Sequence, residues 1–488
     1  MHIVAALDHS DEMRCVLGLF EGVVTAAADG YARTAGKPAC TLLHLGPGLA
    51  NGLANLHNAQ RARAPMVNLI GQHSAQHLTY DAPLTSDIEA IARPYSRFLR
   101  TSRTAAEVGK DAAEAIAAAG NDPGYISTLI VPADVAWNDG GLVAHSKRAV
   151  KPPTPSAEKI EHVADLLRSG EPTAIYMTGS ALYGKGLEAA GRIAAATKAK
   201  LIAPYPFARM ERGAGRVAVQ RLPYLPEQAT QVLKEFRQVI LVGAPIPVSY
   251  FAYPGKSSAL TAPDCVVATL ADPEEDSAGA LAALSDALSL KGQSKGLVQE
   301  PERAVVPNGE ITLAGLATTV AAVLPENAIV VDEAMTSGRG MMAASHGSAP
   351  HDWLANTGGS IGIALPLAVG AAVAAPGRRV LCLTADGSSM YTLQALWTMA
   401  REGLNVTSVV LANRAYGILQ FEYAGLGVGK PGPRAADLLS IGRPDIDWVA
   451  IAKGLGVPAT RATSLDAFGK LLRESFATRG PGLIEISL

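Results

Sequence analysis

The chain has 488 residues, 48% of them hydrophobic, which is room for about three domains of ordinary size. Its formal charge is −2, from 42 basic and 44 acidic residues that are interspersed, and this excludes the one-signed field of a nucleic-acid binder. The longest apolar stretch, 361–375, contains Pro366 and is too short to span a bilayer, and no basic-plus-apolar leader opens the chain, so a cytoplasmic protein without membrane contact is expected.

Short apolar runs alternate with helical stretches from end to end. Strands are expected at 39–43, 66–70 and 125–131, then at 174–177, 201–203, 239–242 and 265–270, and finally at 328–331, 380–383, 406–412 and 483–486. Such alternation predicts an α/β protein of doubly wound parallel sheets. Two polar stretches rich in Pro or Gly, 145–156 and 291–308, read as linkers and divide the chain into domains at 1–150, 157–290 and 309–488. The four cysteines, Cys15, Cys40, Cys265 and Cys382, lack metal or redox spacing and are expected to be reduced core residues.

Candidate functional residues also come in chain order. Glu21 stands just before a helical stretch, 26–33, that reads Ala-Ala-Ala-Asp-Gly-Tyr-Ala-Arg. Taken alone it is an acid at a helix N-terminus, favoured by the helix dipole. The segment 40–51 reads as a strand, a turn with Gly46-Pro47-Gly48 and a helix, with His44 at the strand end. A His there suits proton transfer, although a hydrogen-bonded structural His fits the same position. Asp332-Glu333-Ala334-Met335-Thr336-Ser337 follows a strand. Asn356-Thr357-Gly358-Gly359-Ser360-Ile361-Gly362 leads into an apolar helix over 364–375.

The segment 381–419 is the most informative. One buried strand ends in Ala385-Asp386-Gly387-Ser388-Ser389, a helical pattern follows, and a second strand ends in Asn413. In a parallel sheet both ends lie on one edge, where ligands bind. One Asp, one Asn and backbone oxygens suit a hard cation that also holds a diphosphate. Gly387, Ser388 and Ser389 add N–H and hydroxyl donors at a helix N-terminus, a natural anion site.

These pieces resemble thiamine diphosphate enzymes of the pyruvate oxidase, decarboxylase and acetolactate synthase group, and are most similar to benzoylformate decarboxylase. The family's diphosphate signature is Gly-Asp-Gly followed after a spacer by Asn-Asn. Here Asn413 lies 27 positions after Asp386, with Ala385 and Ala412 replacing the first Gly and the first Asn. The resemblance implies metal ligation by Asp386, Asn413 and the carbonyl of Ala415. It implies cofactor contacts from Thr336, Gly387, Ser388, Tyr416 and Gly417, with the Gly359 carbonyl accepting from the 4′-amino group and Ile361 wedged beneath the bent cofactor. It assigns Glu21 to N1′ of the aminopyrimidine and gives His44 a proton-transfer role.

The implied cofactors are thiamine diphosphate and Mg²⁺, with Ca²⁺ or Mn²⁺ as alternatives. FAD is not expected, since 160–290 carries no flavin signature beyond the weak Gly213-Ala214-Gly215-Arg216. Because the family's site lies between two subunits, a homodimer or homotetramer is implied. The function implied is a 2-keto acid decarboxylase with carboligation open to it. An acetolactate synthase-like transferase and a non-catalytic relative are the alternatives. Two departures stand out. The stretch 247–255 holds no His where benzoylformate decarboxylase has its second one. The chain also starts late by comparison, so the first strand and helix of the pyrimidine-binding domain are expected to be missing, with a loss of stability or activity relative to a version extended upstream.

Overall fold

The structure, a computed structural model, describes residues 1–121, 123–146, 150–290, 296 and 298–488. Parts of both expected linkers, 147–149 in the first and 291–295 with 297 in the second, lie outside the described residues.

Three sheets organise the chain. The first holds β1 (Ala39–Leu43), β2 (Met66–Gln72), β3 (Phe98–Thr101) and β4 (Ile126–Pro132), in the order β1-β2-β4-β3 and parallel throughout. The second holds β5 (Thr173–Met177), β6 (Lys200–Ala203), β8 (Gln220–Arg221), β9 (Gln238–Val242) and β10 (Val266–Ala271), in the order β10-β9-β5-β6-β8 and again parallel. The third holds β7 (Met210–Arg212), β11 (Ile329–Asp332), β12 (His351–Ala355), β13 (Val380–Ala385), β14 (Val406–Ala412), β15 (Ala459–Ala462) and β16 (Gly482–Ser487), in the order β15-β16-β14-β13-β11-β12-β7.

Every strand expected from the apolar runs is present. Five others, β3, β7, β8, β12 and β15, are not apolar runs. The strand β12 begins His-Asp-Trp, yet all five of its residues are buried, because Asp352 accepts from Arg378 (2.7 Å) and Arg209 (3.2 Å). Outermost in the third sheet, β7 pairs antiparallel with β12. A piece of chain from within the middle segment therefore completes the third sheet, and that sheet is mixed.

The cysteines correct an expectation. Only Cys382 is buried; Cys15 and Cys40 are exposed and Cys265 is half-buried. On the edge strand β1 alternate side chains face outward, so Cys40 and Leu42 share the open face while Thr41 and Leu43 point inward.

Among the helices, α1 (His2–Leu7) opens the chain, and α2 (Glu21–Ala35) and α3 (Leu45–Ala62) flank β1. Further on, α4 (Ala364–Ala374) is apolar on all sides and buried from Ala364 through Ala372, as a helix without a polar face must be. It packs against α2 with the two backbones nearly touching. A Cβ added at Gly370 would overlap the carbonyl oxygen of Ala27, and one added at Gly30 would overlap that of Leu367. The residue order, 27 against 370 and 30 against 367, makes the pair antiparallel. Backbone cannot yield as a side chain can, so Gly370→Ala should destabilise by about 1–3 kcal/mol or more. The check is the urea midpoint of parent and variant; an unchanged midpoint would remove this contact from the account.

The Asp-Gly-Tyr-Ala-Arg stretch of α2 thus has a structural explanation. Its Gly30 permits the close approach. Asp29 and Arg33, one turn apart and both buried, form an ion pair, and burial pushes the Asp29 carboxyl up while Arg33 holds it down. Arg33 then donates to the Ala355 carbonyl (2.7 Å) and to Thr357 Oγ1 (3.2 Å), tying α2 to the end of β12.

Candidate active site

The third sheet doubles back at β11. From β11 the chain crosses to β12 on one side and returns to β13 on the other, so β11 and β13 bracket the topological switch point where open α/β sheets bind ligands. Register brings the strand ends level: Asp332 pairs with Leu383 and Ala355, and Ala385 with Leu411. Asp386 and Asn413 therefore leave adjacent strands side by side.

Asp386 opens a single helical turn, α5 (Asp386–Ser389), and is only 2% exposed. Its Oδ1 accepts from the Gly387 N–H (2.9 Å) and its Oδ2 from the Arg414 N–H (2.7 Å). Burial raises its pKa, and these two donors oppose the rise. Asn413 Oδ1 accepts from the Ala415 N–H (3.1 Å), while its Nδ2 faces Thr336 Oγ1 and Ser337 Oγ, each at 3.5 Å. Between Asn413 and Ala415, Arg414 takes a left-handed conformation (φ 55°), a strained turn of the kind that collects at functional sites. Gly417 then begins α7 (Gly417–Gly425), and a Cβ there would come 3.0 Å from Thr336 Oγ1. The sequence pattern suggested one helix after Asp386. Instead α5 stops after a turn and α6 (Ala395–Arg401) follows, because Thr392 between them donates to the Gly362 carbonyl (2.6 Å).

Oxygen dominates what the two strand ends offer: the Asp386 carboxylate and the Asn413 amide oxygen. That chemistry fits a hard divalent cation, with coordination positions left for diphosphate oxygens and water. With the Gly387 N–H engaged by Asp386 Oδ1, the Ser388 N–H and hydroxyl are the groups that fit an anion beside it. Among the described residues, no group of three or more His, Cys, Asp or Glu side chains could hold a metal, so a cation here depends on the Asn and the backbone.

The Gly-rich turn lies beside this cradle, and its backbone is held at nearly every peptide. The Gly358 carbonyl accepts from His57 Nε2 (3.1 Å), assuming the tautomer protonated there. The Ser360 carbonyl accepts from Asn58 Nδ2 and Asn356 Nδ2, both at 2.9 Å. At φ 80°, Gly359 has a backbone that side-chain-bearing residues rarely adopt, and a Cβ there would meet only the Tyr250 ring at 3.7 Å. Ile361 is half-buried, two positions on.

The sequence did not single out the buried Glu333. Of the Asp332–Ser337 segment, Thr336 and Ser337 face Asn413, but Asp332 turns to Trp353 Nε1 (3.2 Å). Glu333 turns beneath the Gly-rich turn and accepts the first N–H groups of α4. Burial pushes its carboxyl up to about 7, against the opposing pull of those donors. No spacing signal marks it; the partners lie some thirty residues away in the chain.

Glu21 and His44 come together elsewhere. Both flank Gly48, where a Cβ would stand 3.1 Å from Glu21 Oε1 and 3.4 Å from His44 Cβ. Glu21 Oε2 accepts from Asn51 Nδ2 (3.0 Å). His44 is the exposed N-cap of α3, and the next residue, Leu45, is left-handed (φ 56°). Within one chain Glu21 lies at the far end of α2 from Arg33, the residue that anchors Ala355 and Thr357. Roughly 18 Å of helix separates the two.

The stretch 247–255, without a His, presents aromatic rings instead. Tyr250 nears Gly359 and packs with Tyr224 and Tyr205 at centroid distances of 5.0 and 6.2 Å. The hydroxyls of Tyr224 and Tyr253 both donate to the Glu422 carboxylate (2.7 Å each), fastening α7 to the middle of the chain.

An oxygen-lined strand edge at the switch point, a clamped Gly-rich turn beside it and a separate acid near His44 suit an α/β enzyme that works with a bound cofactor. The profile described as thiamine pyrophosphate enzyme, N-terminal TPP binding domain, matches residues 1–91, and its C-terminal counterpart matches 337–486. The chain is 50% identical to the protein named "Putative acetolactate synthase large subunit IlvX" of Mycobacterium tuberculosis, over 100% of this chain and 93% of that one. The chain belongs to the thiamine pyrophosphate enzyme family and carries its thiamine diphosphate-binding domains. It is also 26% identical to benzoylformate decarboxylase of Pseudomonas aeruginosa, over 98% and 92% of the two chains. Its fold matches that of the thiamine diphosphate-dependent 4-hydroxybenzoylformate decarboxylase of Rhodococcus jostii RHA1, with a TM-score of 0.85 at 22% identity over 99% of this chain and 93% of the other. It is thus a thiamine diphosphate-dependent enzyme related to both benzoylformate decarboxylase and acetolactate synthase. Nothing in these matches supports the expected shortening at the start. Among the described residues no helix is long and apolar enough to cross a membrane.

Proposed function

We propose that the protein is a 2-keto acid decarboxylase dependent on thiamine diphosphate and a divalent metal, Mg²⁺ by the donor set, acting as a homodimer or dimer of dimers. The observation that carries the reading is that the Glu21 carboxylate stands beside Gly48, one turn after His44. When bound, thiamine diphosphate supplies a carbon nucleophile and an electron sink for the loss of CO₂. Glu21, with only the side-chain-free Gly48 beside it, would hold the proton that a ring nitrogen of the bound cofactor shares. His44, exposed at the end of β1, would serve as the proton donor that completes the decarboxylation. That step commits the product to an aldehyde. Asp386, Asn413 and the Ala415 carbonyl hold the metal. Thr336, Gly387, Ser388, Tyr416 and Gly417 surround the diphosphate, and Gly359 and Ile361 meet the pyrimidine side.

This reading needs two chains. The family that the chain resembles builds its site between two subunits, and on this reading Glu21 of one subunit would serve the cradle of another. Chain segments 1–150, 157–290 and 309–488 serve as the pyrimidine-binding, middle and diphosphate-binding domains. An acetolactate synthase-like transferase is the second reading, favoured by the name of the relative at 50% identity. A panel of 2-keto acids with CO₂ release and product identification separates the two. An aldehyde with one CO₂ per keto acid is the expected result; a 2-hydroxy-3-keto acid, with one CO₂ per two keto acids, would replace the first reading by the second.

A further inference from the structure

We infer that Glu333 is a positioning residue for the cofactor: its carboxylate, through Asn356, fixes the Gly358–Gly362 turn so that the turn meets the pyrimidine half of the ligand. The inference rests on the thiamine diphosphate reading above and assigns a role to a group that takes no part in the reaction itself. Glu333 is 2% exposed at the end of β11, and its own N–H bonds the Leu383 carbonyl (2.9 Å), which roots it in the sheet. Its Oε1 accepts from the N–H groups of Gly362 (2.8 Å) and Ile363 (3.2 Å), and its Oε2 from that of Ala364 (3.0 Å). These groups lead into α4, where N–H donors lack partners within the helix and the dipole favours a negative charge. Asn356 Nδ2 reaches Oε1 at 3.4 Å. Asn356 Oδ1 in turn accepts from Gly359 N–H (2.9 Å), and the same Nδ2 reaches the Ser360 carbonyl (2.9 Å).

The geometry explains why such a clamp is needed. Both Gly359 (φ 80°) and Gly362 (φ 91°) are positive-φ glycines, so the turn carries two soft pivots. Left to itself, a segment with two glycine pivots would not hold a carbonyl in one direction. Glu333 pins the turn at Gly362 and Asn356 pins it at Gly359 and Ser360. Asn58 completes the hold from α3 by donating to the Ser360 carbonyl (2.9 Å) and accepting from its N–H (3.2 Å). An ordinary helix cap would need only the first of these contacts.

Glu333→Gln is the main test. Both carboxylate oxygens accept from main-chain N–H groups, so either orientation of the amide turns an NH₂ toward a donor and releases part of the turn. Two probes are titrated against the full-length chain with Mg²⁺: thiamine diphosphate, which spans cradle and turn, and inorganic pyrophosphate, which touches only the cradle. Glu333→Gln should weaken thiamine diphosphate at least tenfold and leave pyrophosphate within twofold. Asn356→Ala, which keeps the cap on α4 but frees Gly359 and leaves Ser360 to Asn58 alone, should show the same split and carries the test should Glu333→Gln not fold. A purely structural role would lower the melting temperature without splitting the two ligands. Equal losses for both, or none for either, overturn the inference while the parent's binding of thiamine diphosphate keeps the cofactor reading intact. A parent chain that does not bind thiamine diphosphate overturns both.

Discussion

Glu21→Gln should fold, bind thiamine diphosphate with the parent's affinity to within a few-fold, and lose about 10²–10⁴-fold in turnover. Little stability is at stake. Glu21 sits at the start of α2, half-buried, and its one hydrogen bond comes from the Asn51 amide, which a Gln oxygen can also accept. What Gln cannot do is hold the ionisable proton that a carboxyl shares with a ring nitrogen. The direct readout is hydrogen–deuterium exchange at C2 of the bound cofactor, which should slow by a similar factor. Exchange at the parent rate in Glu21→Gln would show that the acid is no more than a helix-terminal charge.

Asp386→Ala should abolish metal-dependent cofactor binding. Among the described residues Asp386 is the carboxylate that the proposed cradle offers, and removing it would take away the anionic ligand while stranding the Gly387 and Arg414 N–H groups. Losing even an outer partner of a metal ligand costs roughly 10–100-fold in affinity, so losing the ligand itself should exceed about 100-fold. A protein with ligand at 100 times its Kd gains about 2.7 kcal/mol of stability. The parent's melting temperature should therefore rise with thiamine diphosphate and Mg²⁺ and fall back with chelator, and that of Asp386→Ala should do neither. A variant still stabilised by the pair would place the cation elsewhere. Co-expression of the two variants then tests the shared site. Each mixed dimer carries one doubly altered site and one intact site, so random pairing should restore about one quarter of parent activity. No recovery would mean that Glu21 and the cradle serve one cofactor within a single chain.

Much of this was legible because parallel sheets bury their central strands on both faces. Largely apolar runs such as 380–383 and 406–412 announce such strands, and the first acid or amide after each, Asp386 or Asn413, has to sit on the ligand-binding edge. The signal fails where burial is achieved by pairing. The strand β12 hides its Asp352 with two arginines, and β7 is three residues long with two charges. Both were silent in the sequence, and with them the strand that β7 lends to the third sheet. Cys40 failed in the opposite sense: apolar neighbours suggested the core, but an edge strand leaves one face open.

The sequence by itself determined the α/β alternation, the paired Asp386 and Asn413 at neighbouring strand ends, and the candidates Glu21 at a helix start and His44 at a strand end. These follow from local composition and from spacing along a single strand or helix. Only the tertiary structure decided that Glu333 reaches under the Gly-rich turn, that Tyr250 rather than a His nears Gly359, and that the Glu21 carboxylate stands beside Gly48, one turn after His44. Each of these depends on where two distant segments cross. Such crossings are set by close packing, as where Gly30 and Gly370 let two backbones meet, and no local pattern encodes them.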